Sequence, residues 1–337
     1  MGIVLFIVAL ALVPTLFYML LLWWLDRYEK EPVSLLVLTF VWGAVPSIIF
    51  AILFEVLADI PLHTLDPVMG SGAGDFLSTS VVGPFIEEGF KALIVLTVFL
   101  AFRREFDDVL DGIIYGAVAG LGFAFVEDVF YGLGQTDSGL SGVVTLALIR
   151  SVVFGLNHAM FTGVTGAALG YVRYAHGARK WLIPPLGFLG AWFLHGTHNT
   201  LVSLGQANDS LSCLGFIAGV AVDWTFVLAL IITAAFALSH ERRWLRTQLI
   251  EEVQVGRITP PEYQMLISSL RRVGARWQAL ASGGLRAYRW LGRLQGLATE
   301  LAFRKQQVLV EHDPAWSYYD IQLLRARIDA LKQSPGA

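Results

Sequence analysis

Seven stretches of this chain stay apolar for long enough to cross a bilayer: residues 3–25, 34–57, 79–101, 109–133, 142–172, 182–205 and 212–238. Crossing about 30 Å of hydrocarbon takes about 20 apolar residues in helical form. The pattern therefore predicts an all-α, polytopic membrane bundle of about seven transmembrane helices, eight at most. The first stretch lacks the basic start and small-residue cleavage site of a secretory signal, and its apolar core is too long for one. It is expected to remain as a span.

The polar connections between spans orient the bundle. Arg27 and Lys30 follow the first span, Arg103 and Arg104 the third, Arg173, Arg179 and Lys180 the fifth, and Arg242, Arg243 and Arg246 the seventh. The alternate connections, 58–78, 134–141 and 206–211, contain no Lys or Arg. Basic loops stay cytoplasmic, so the N-terminus is expected outside and the C-terminus inside. Residues 1–239 then form the membrane domain, and 240–337 a small helical cytoplasmic tail of unread role. That tail breaks at Thr259-Pro260-Pro261, where Thr259 is placed to cap a helix from Pro260, and at Ser282-Gly283-Gly284. The glycine-rich run Gly70-Ser71-Gly72-Ala73-Gly74 reads as a flexible outer loop, with gating of whatever lies beneath it as the alternative.

Composition agrees with a chain in two solvents. Of 337 residues 55% are apolar and 15% charged, against about 25% charged in soluble domains, and mean hydropathy is +0.62. More than half of the 24 basic residues lie beyond residue 239. The net charge of −3 gives no reason to expect nucleic acid as a partner. A single cysteine, Cys213, excludes a disulfide framework and a zinc site built from several thiolates; it is expected to fill space in a helix.

Against that apolar background, ionisable residues inside spans stand out, since each costs several kcal/mol unless it faces a protein interior. The third span carries Glu87, Glu88 and Lys91, the fourth Glu127 and Asp128, the fifth Arg150 and His158, and the sixth His195, His198 and Asn199. Glu87 and Lys91, like His195 and Asn199, are four apart on one helical face. At about 1.5 Å of rise per residue the acids and imidazoles reach similar depths in the outer half of the membrane, provided the overlong fifth span tilts or begins late. A structural reading pairs Glu87 with Lys91 and Glu127 with Arg150 and leaves the histidines bonding between helices. It leaves acids and imidazoles in excess. Three uses of that excess stay open on the residues alone: hydrolysis, by a divalent metal or by a glutamate base with His and Asn at the oxyanion; transport, with the carboxylates as a proton relay; or a scaffold.

The motifs resemble those of the PrsW intramembrane proteases, relatives of the type II CAAX prenyl endopeptidases. Glu87-Glu88-Gly89-Phe90-Lys91 fits E-E-x-x-K, and Ala92 stands where the CAAX enzymes' longer motif has Arg. Asp111-Gly112-Ile113-Ile114-Tyr115-Gly116 leading to Gly122-Phe123-Ala124-Phe125-Val126-Glu127 is similar to the second motif, His158-Ala159-Met160-Phe161-Thr162-Gly163 to the third, and Leu194-His195-Gly196-Thr197-His198-Asn199 to the last. Asp26-Arg27-Tyr28-Glu29-Lys30-Glu31-Pro32 is similar to the family's first cytoplasmic loop. The resemblance covers the seven spans and stops short of the tail. Two departures are Asp128, where the family usually has Asn, and His198, where an aromatic is common and a packing role is expected.

The resemblance implies an endopeptidase that cuts membrane-anchored proteins within the bilayer of a bacterial cell membrane; in some relatives this is the site-one cut that begins release of an anti-sigma factor. It implies Glu87 or Glu88 as activator of water. Glu127, His158 and His195 would hold a divalent metal, zinc before others, or polarise the scissile carbonyl without one. Asn199 would orient His195 or donate to the oxyanion. Lys91, Phe123 and Asp128 would support the site, Lys91 by neutralising the adjacent carboxylates.

Overall fold

The computed structural model describes residues 2–64, 66–70, 72–207, 209–311 and 314–333, and every element among them is helical. In chain order these are α1 (Gly2–Leu25), α2 (Val33–Trp42), α3 (Ile48–His63), α4 (Asp66–Met69), α5 (Ala73–Leu77), α6 (Gly83–Ala101), α7 (Val109–Gly134), α8 (Gly139–Leu148), α9 (Asn157–Tyr171), α10 (Arg179–Ala207) and α11 (Asp209–Gln248). Then follow α12 (Ile250–Gln254), α13 (Pro260–Leu266), α14 (Ser269–Glu311) and α15 (Pro314–Gln333). Three widened π turns interrupt the run: Gly43–Ser47 between α2 and α3, Ser78–Val82 before α6, and Ile149–Val153 after α8. Such turns are rare and gather at functional sites.

Among the described residues five helical stretches are long and apolar enough to cross a membrane: Gly2–Leu25, Val33–Val68, Val109–Gly134, Thr136–Tyr174 and Ser212–Gln254. The other two expected spans fall on α6 and α10, which miss that measure. The reason is physical: α6 holds Glu87, Glu88 and Lys91, and α10 holds two prolines, His195 and His198. The charges and prolines that keep α6 and α10 from reading as plain apolar spans include residues of the polar site.

Contacts divide the chain into two units, Met1–Leu25 with Glu31–Ala234, and Asp26–Lys30 with Ala235–Ala337. At the centre of the first is α7, buried on all sides from Leu110 to Ala124. Its start is fixed by a capping box, in which Asp108 accepts from the Asp111 amide while the Asp111 carboxylate accepts from the amides of Asp107 and Asp108 at 2.8 Å. Asp111 of the second motif is thus a helix-start residue. Along α7, Gly112, Gly116 and Gly120 form a stripe against α9. A Cβ on Gly120 would lie 2.1 Å from the His158 carbonyl oxygen, so only glycine lets the backbone that carries His158 come this close. Elsewhere on α7 Tyr115, fully buried, donates its hydroxyl to the buried carboxylate of Glu31.

The second unit has its own core, built from Tyr28, Leu245, Leu249, Ile258, Leu266 and Phe303 with their neighbours, and a satellite cluster of Leu294, Leu301, Ile321, Leu324 and Ile328. Thr259 caps α13 in a capping box with Glu262, and α14 turns sharply at Gly284, where φ is 66°. Two sequence expectations change. Cys213 lies exposed on α11, so it fills no core space. In the glycine-rich run Ala73 already begins α5, with Gly70 and Gly72 at positive φ before it; Ser71 lies outside the described residues.

Candidate active site

Four helices bring their polar residues together inside the first unit. From α6, Glu88 and Lys91 are wholly buried, while the Glu87 side chain keeps 13% exposure. Lys91 Nζ lies 2.5 Å from Glu88 Oε1, 3.4 Å from Glu87 Oε2 and 3.1 Å from His158 Nδ1, so its three donors are all engaged, and it sits 4.2 Å from the centre of the Phe123 ring. This ammonium is a neutralising hub. Glu88 also accepts from Thr162 Oγ1 at 2.9 Å and from His195 Nδ1 at 3.0 Å.

The bonds fix both imidazole tautomers. Lysine only donates, so His158 Nδ1 accepts from Lys91 and its Nε2–H donates to Glu127 Oε2 at 2.8 Å. A carboxylate only accepts, so His195 donates from Nδ1 and turns Nε2 toward Glu87 Oε2, 3.8 Å away. The two imidazoles stand 5.0 Å apart, nearly perpendicular, and Phe161 stacks on His195 at 4.7 Å. One ligand atom each from Glu87, His158 and His195 falls within 4.8 Å of the others.

The remaining expected residues flank this centre. Glu127 Oε2 also accepts from Arg150 Nη2 at 2.7 Å, and Asp128 accepts from Arg150 Nε at 2.8 Å and from Ser151 Oγ at 2.6 Å. Asp128 therefore serves the arginine. Asn199 donates to the Thr79 carbonyl at 2.9 Å rather than to His195. With Trp192, which donates to the Val81 carbonyl, and Gly196, packed on the Ser80 carbonyl, it seats α10 on the π turn that leads into α6. His198 bonds to Asp223 of α11.

Several residues here were not singled out from the sequence. Thr162 completes the bonding of Glu88. Glu55 of α3 has a buried carboxylate oxygen with no hydrogen-bond partner among the described residues, and it interacts through its charge with Glu127 and Lys91. The rule that found the other acids, an ionisable residue inside a span, applies to Glu55 as well. Asn157 and Asp223 form a second polar group with His198. In all, the carboxyls of Glu55, Glu87, Glu88, Glu127 and Asp128 share the zone with two cations, Lys91 and Arg150.

Two imidazoles, each held by a carboxylate behind it, and the Glu87 carboxylate beside Lys91 make a centre suited to water activation, the chemistry of an intramembrane hydrolase. Residues 31–238 match the family model described as PrsW family intramembrane metalloprotease, and the chain belongs to that family. It is similar to Protease PrsW of Geobacillus kaustophilus (strain HTA426), 30% identical over 177 residues, 52% of this chain and 71% of the relative. Protease PrsW of Bacillus subtilis (strain 168) is 29% identical over 180 residues, 53% and 74% of the two chains, and that of Clostridioides difficile (strain 630) 29% over 172, 51% and 68%. No solved structure matches. The protein is a membrane-embedded protease of a metalloprotease family, and it carries a Glu/His group of metal-binding composition.

Proposed function

We propose that peptide bonds of membrane-anchored proteins are cut in the space among Glu87, His158 and His195, and that the convergence of these three side chains within 4.8 Å carries the reading. Glu87 is the carboxylate available for water: its hydrogen bond from Lys91 is long at 3.4 Å, whereas Glu88 is filled by Lys91, His195 and Thr162. Glu87 takes a proton from water as the oxygen attacks the scissile carbonyl, then returns it to the leaving amine. Glu88 and Glu127 act through the imidazoles they orient. Lys91 offsets part of the negative charge that Glu87 and Glu88 bring together.

Two imidazoles and one carboxylate are also the donor set of a catalytic zinc with an open position, so Glu87, His158 and His195 are the residues that would hold a divalent ion, His158 giving up its bond from Lys91 at Nδ1, its one unprotonated nitrogen, to do so. Such an ion supplies a more acidic water and a polarised carbonyl. Glu127, expected as a ligand, is better placed as the partner of His158 and Arg150.

The wider arrangement completes the proposal. Seven spans with the N-terminus outside accord with the basic-loop asymmetry, and they add α6 and α10 to the five apolar stretches. The membrane domain takes residues 1–239 and the cytoplasmic tail 240–337. The substrate would be a single-span protein, an anti-sigma factor among the candidates, and specificity would reside in a groove between helices.

The test follows cleavage of a single-span reporter in membranes by Glu87→Gln and His195→Ala variants. Loss of cutting in both, with folding retained, is expected; undiminished cutting by both overturns the hydrolytic assignment. Metal analysis of purified protein, with a chelator control, separates the two chemistries. Full activity in metal-free protein removes the ion from the proposal.

A further inference from the structure

His158 sits at a vulnerable place in the chain. The π turn Ile149–Val153 ends, Phe154, Gly155 and Leu156 leave the helix, and α9 restarts at Asn157, so His158 is in its first turn. The N-cap residue Leu156 offers no side-chain cap, and a helix start without one leaves its first amides loosely specified. Lys91 and Glu127 hold the His158 ring and α7 backs its carbonyl, but the chain entering this first turn needs a support of its own.

Helix α11 supplies it. Asp223, 1% exposed, accepts through Oδ2 from Asn157 Nδ2 at 2.8 Å and from His198 Nδ1 at 2.7 Å. The next residue, Trp224, donates from Nε1 to the carbonyl of Val153 at 3.0 Å. The Phe154 ring packs edge-on against His198, centroids 5.0 Å apart. Both sides of the break are therefore tied to consecutive residues of α11. Asn157 immediately precedes His158, and His198 is one helical turn beyond His195. One carboxylate thus links the backbone positions of both imidazoles. A carboxylate inside a membrane span is costly to keep unless it does such work, and the hydrolytic chemistry makes no direct use of it.

We propose that Asp223, through Asn157 and His198, is a positioning residue for hydrolysis: it holds His158 in register with His195 across the break before α9. This rests on the reading of those two histidines as the reacting centre. Removing the carboxylate lets the first turn of α9 swing while the helix bundle stands, so the loss falls on turnover and not on substrate capture.

The test uses the full chain in lipid nanodiscs with a single-span reporter that the parent protein cleaves. Asp223→Ala is expected to lower kcat about 10-fold, the low end of the range for groups that bond directly to metal-ligating histidines, since Asp223 stands one layer further out, with KM and the unfolding midpoint close to the parent's. Asp223→Asn keeps an oxygen to accept from Asn157 and recovers most of the loss. His198→Phe preserves the ring beside Phe154 and removes one of the two bonds to Asp223; its kcat falls in the same direction by less. Thr225→Ala, whose hydroxyl bonds only within its own helix to the Ala221 carbonyl, matches the parent. Unchanged kcat in folded Asp223→Ala overturns the brace, as does a loss that appears in KM alone. Should Asp223→Ala not fold, Asp223→Asn and His198→Phe decide: parent-like kcat in His198→Phe, or no recovery in Asp223→Asn, overturns it. His158→Ala separates the two layers of the argument. If it cleaves like the parent, the centre and the brace both fall; if it is inactive while Asp223→Ala is not, only the brace does.

Discussion

Two groups of carboxylates, one in each unit, face the same physical problem with opposite outcomes. Glu252, wholly buried in the second unit, meets Arg257 at 2.5 Å, Arg325 at 2.6 Å and Lys305 at 3.0 Å. With Glu251 and Asp329 the cluster counts three carboxylates against three cations. Nothing in it is left over. In the first unit five carboxyls share two cations, and the surplus is met by imidazoles, by Thr162 and, at Glu87, by little but a long contact to Lys91. Burial of charge does not distinguish a structural hub from a reaction centre; unfilled bonding capacity does. A divalent ion among Glu87, His158 and His195 would offset part of that surplus, which is the electrostatic argument for the proposed metal.

The largest effect that this contrast predicts is on turnover. Glu87→Gln keeps the size of the side chain and removes its basicity, so cleavage should fall by about 10²- to 10⁴-fold, the range for a general base, with the melting transition preserved. Glu252→Gln should leave kcat of the folded enzyme where it was. Steady-state cleavage of the reporter by both variants checks this, and a Glu252→Gln enzyme that folds yet does not turn over would break the contrast.

Next comes stability of the second unit. Glu252→Ala removes the buried carboxylate that Arg257, Lys305 and Arg325 share and leaves them only the more exposed Glu251 and Asp329; removing one partner of a buried ionic cluster costs about 3–5 kcal/mol, and with these partners remaining the low end applies. Chemical denaturation followed by Trp fluorescence should register it. The pH dependence has a definite sign. Burial pushes the Glu252 carboxyl up, and the bonds from Arg325, Lys305 and Arg257 outweigh that and hold it below the usual range. The unfolded chain titrates near the model-peptide value of about 4.3. This contribution to stability is therefore fully present above that pH and is lost as pH falls from it toward the lower folded value. Melts between neutral and acid pH should show the loss in the parent and a shallower one in Glu252→Gln.

How far the site was legible in the sequence depends on which rule each residue obeys. Glu87, Glu88, Lys91, Glu127, Arg150, His158 and His195 are ionisable residues in otherwise apolar runs, and the structure gathers them in one place. Glu55 obeys the same rule near the end of its span, where one charge in a fading apolar run is hardest to tell from a loop residue. The partners were harder to read. Lys91 chooses Glu88 at three residues' separation over Glu87 at four, a choice set by Thr162 and His195 from other helices. Asn199 faces Thr79 because the Ser78–Val82 turn widens there, and no local pattern announces a π turn. Asp223 has its partners 25 and 66 residues away. The glycine stripe Gly112-Gly116-Gly120 follows a small-residue spacing known to bring membrane helices close, and it does so against the backbone of His158.

A smaller effect sharpens the contrast from within the centre. Glu127→Gln retains an acceptor for His158 and Arg150 but loses the charge that orients the imidazole, so a 10- to 100-fold fall of about the second-layer kind is expected. It should be shallower than that of Glu87→Gln on the same reporter. Equal losses would move Glu127 into the reacting set.

The smallest effect tests whether Glu88 is filled. Thr162→Val is close to isosteric and removes only the 2.9 Å bond to Glu88 Oε2, leaving Lys91 and His195 on Oε1. A hydrogen bond to a charged group is worth about 1.5–3 kcal/mol, and with two partners remaining the low end applies. The variant should lose about 1.5 kcal/mol of stability and turn over within about tenfold of the parent, since each 1.4 kcal/mol is a factor of ten at most. If Thr162→Val matched Glu87→Gln in turnover, Glu88 would be a reacting carboxylate whose state depends on its hydroxyl partner, and the division between the glutamate that reacts and the one that orients would have to be redrawn.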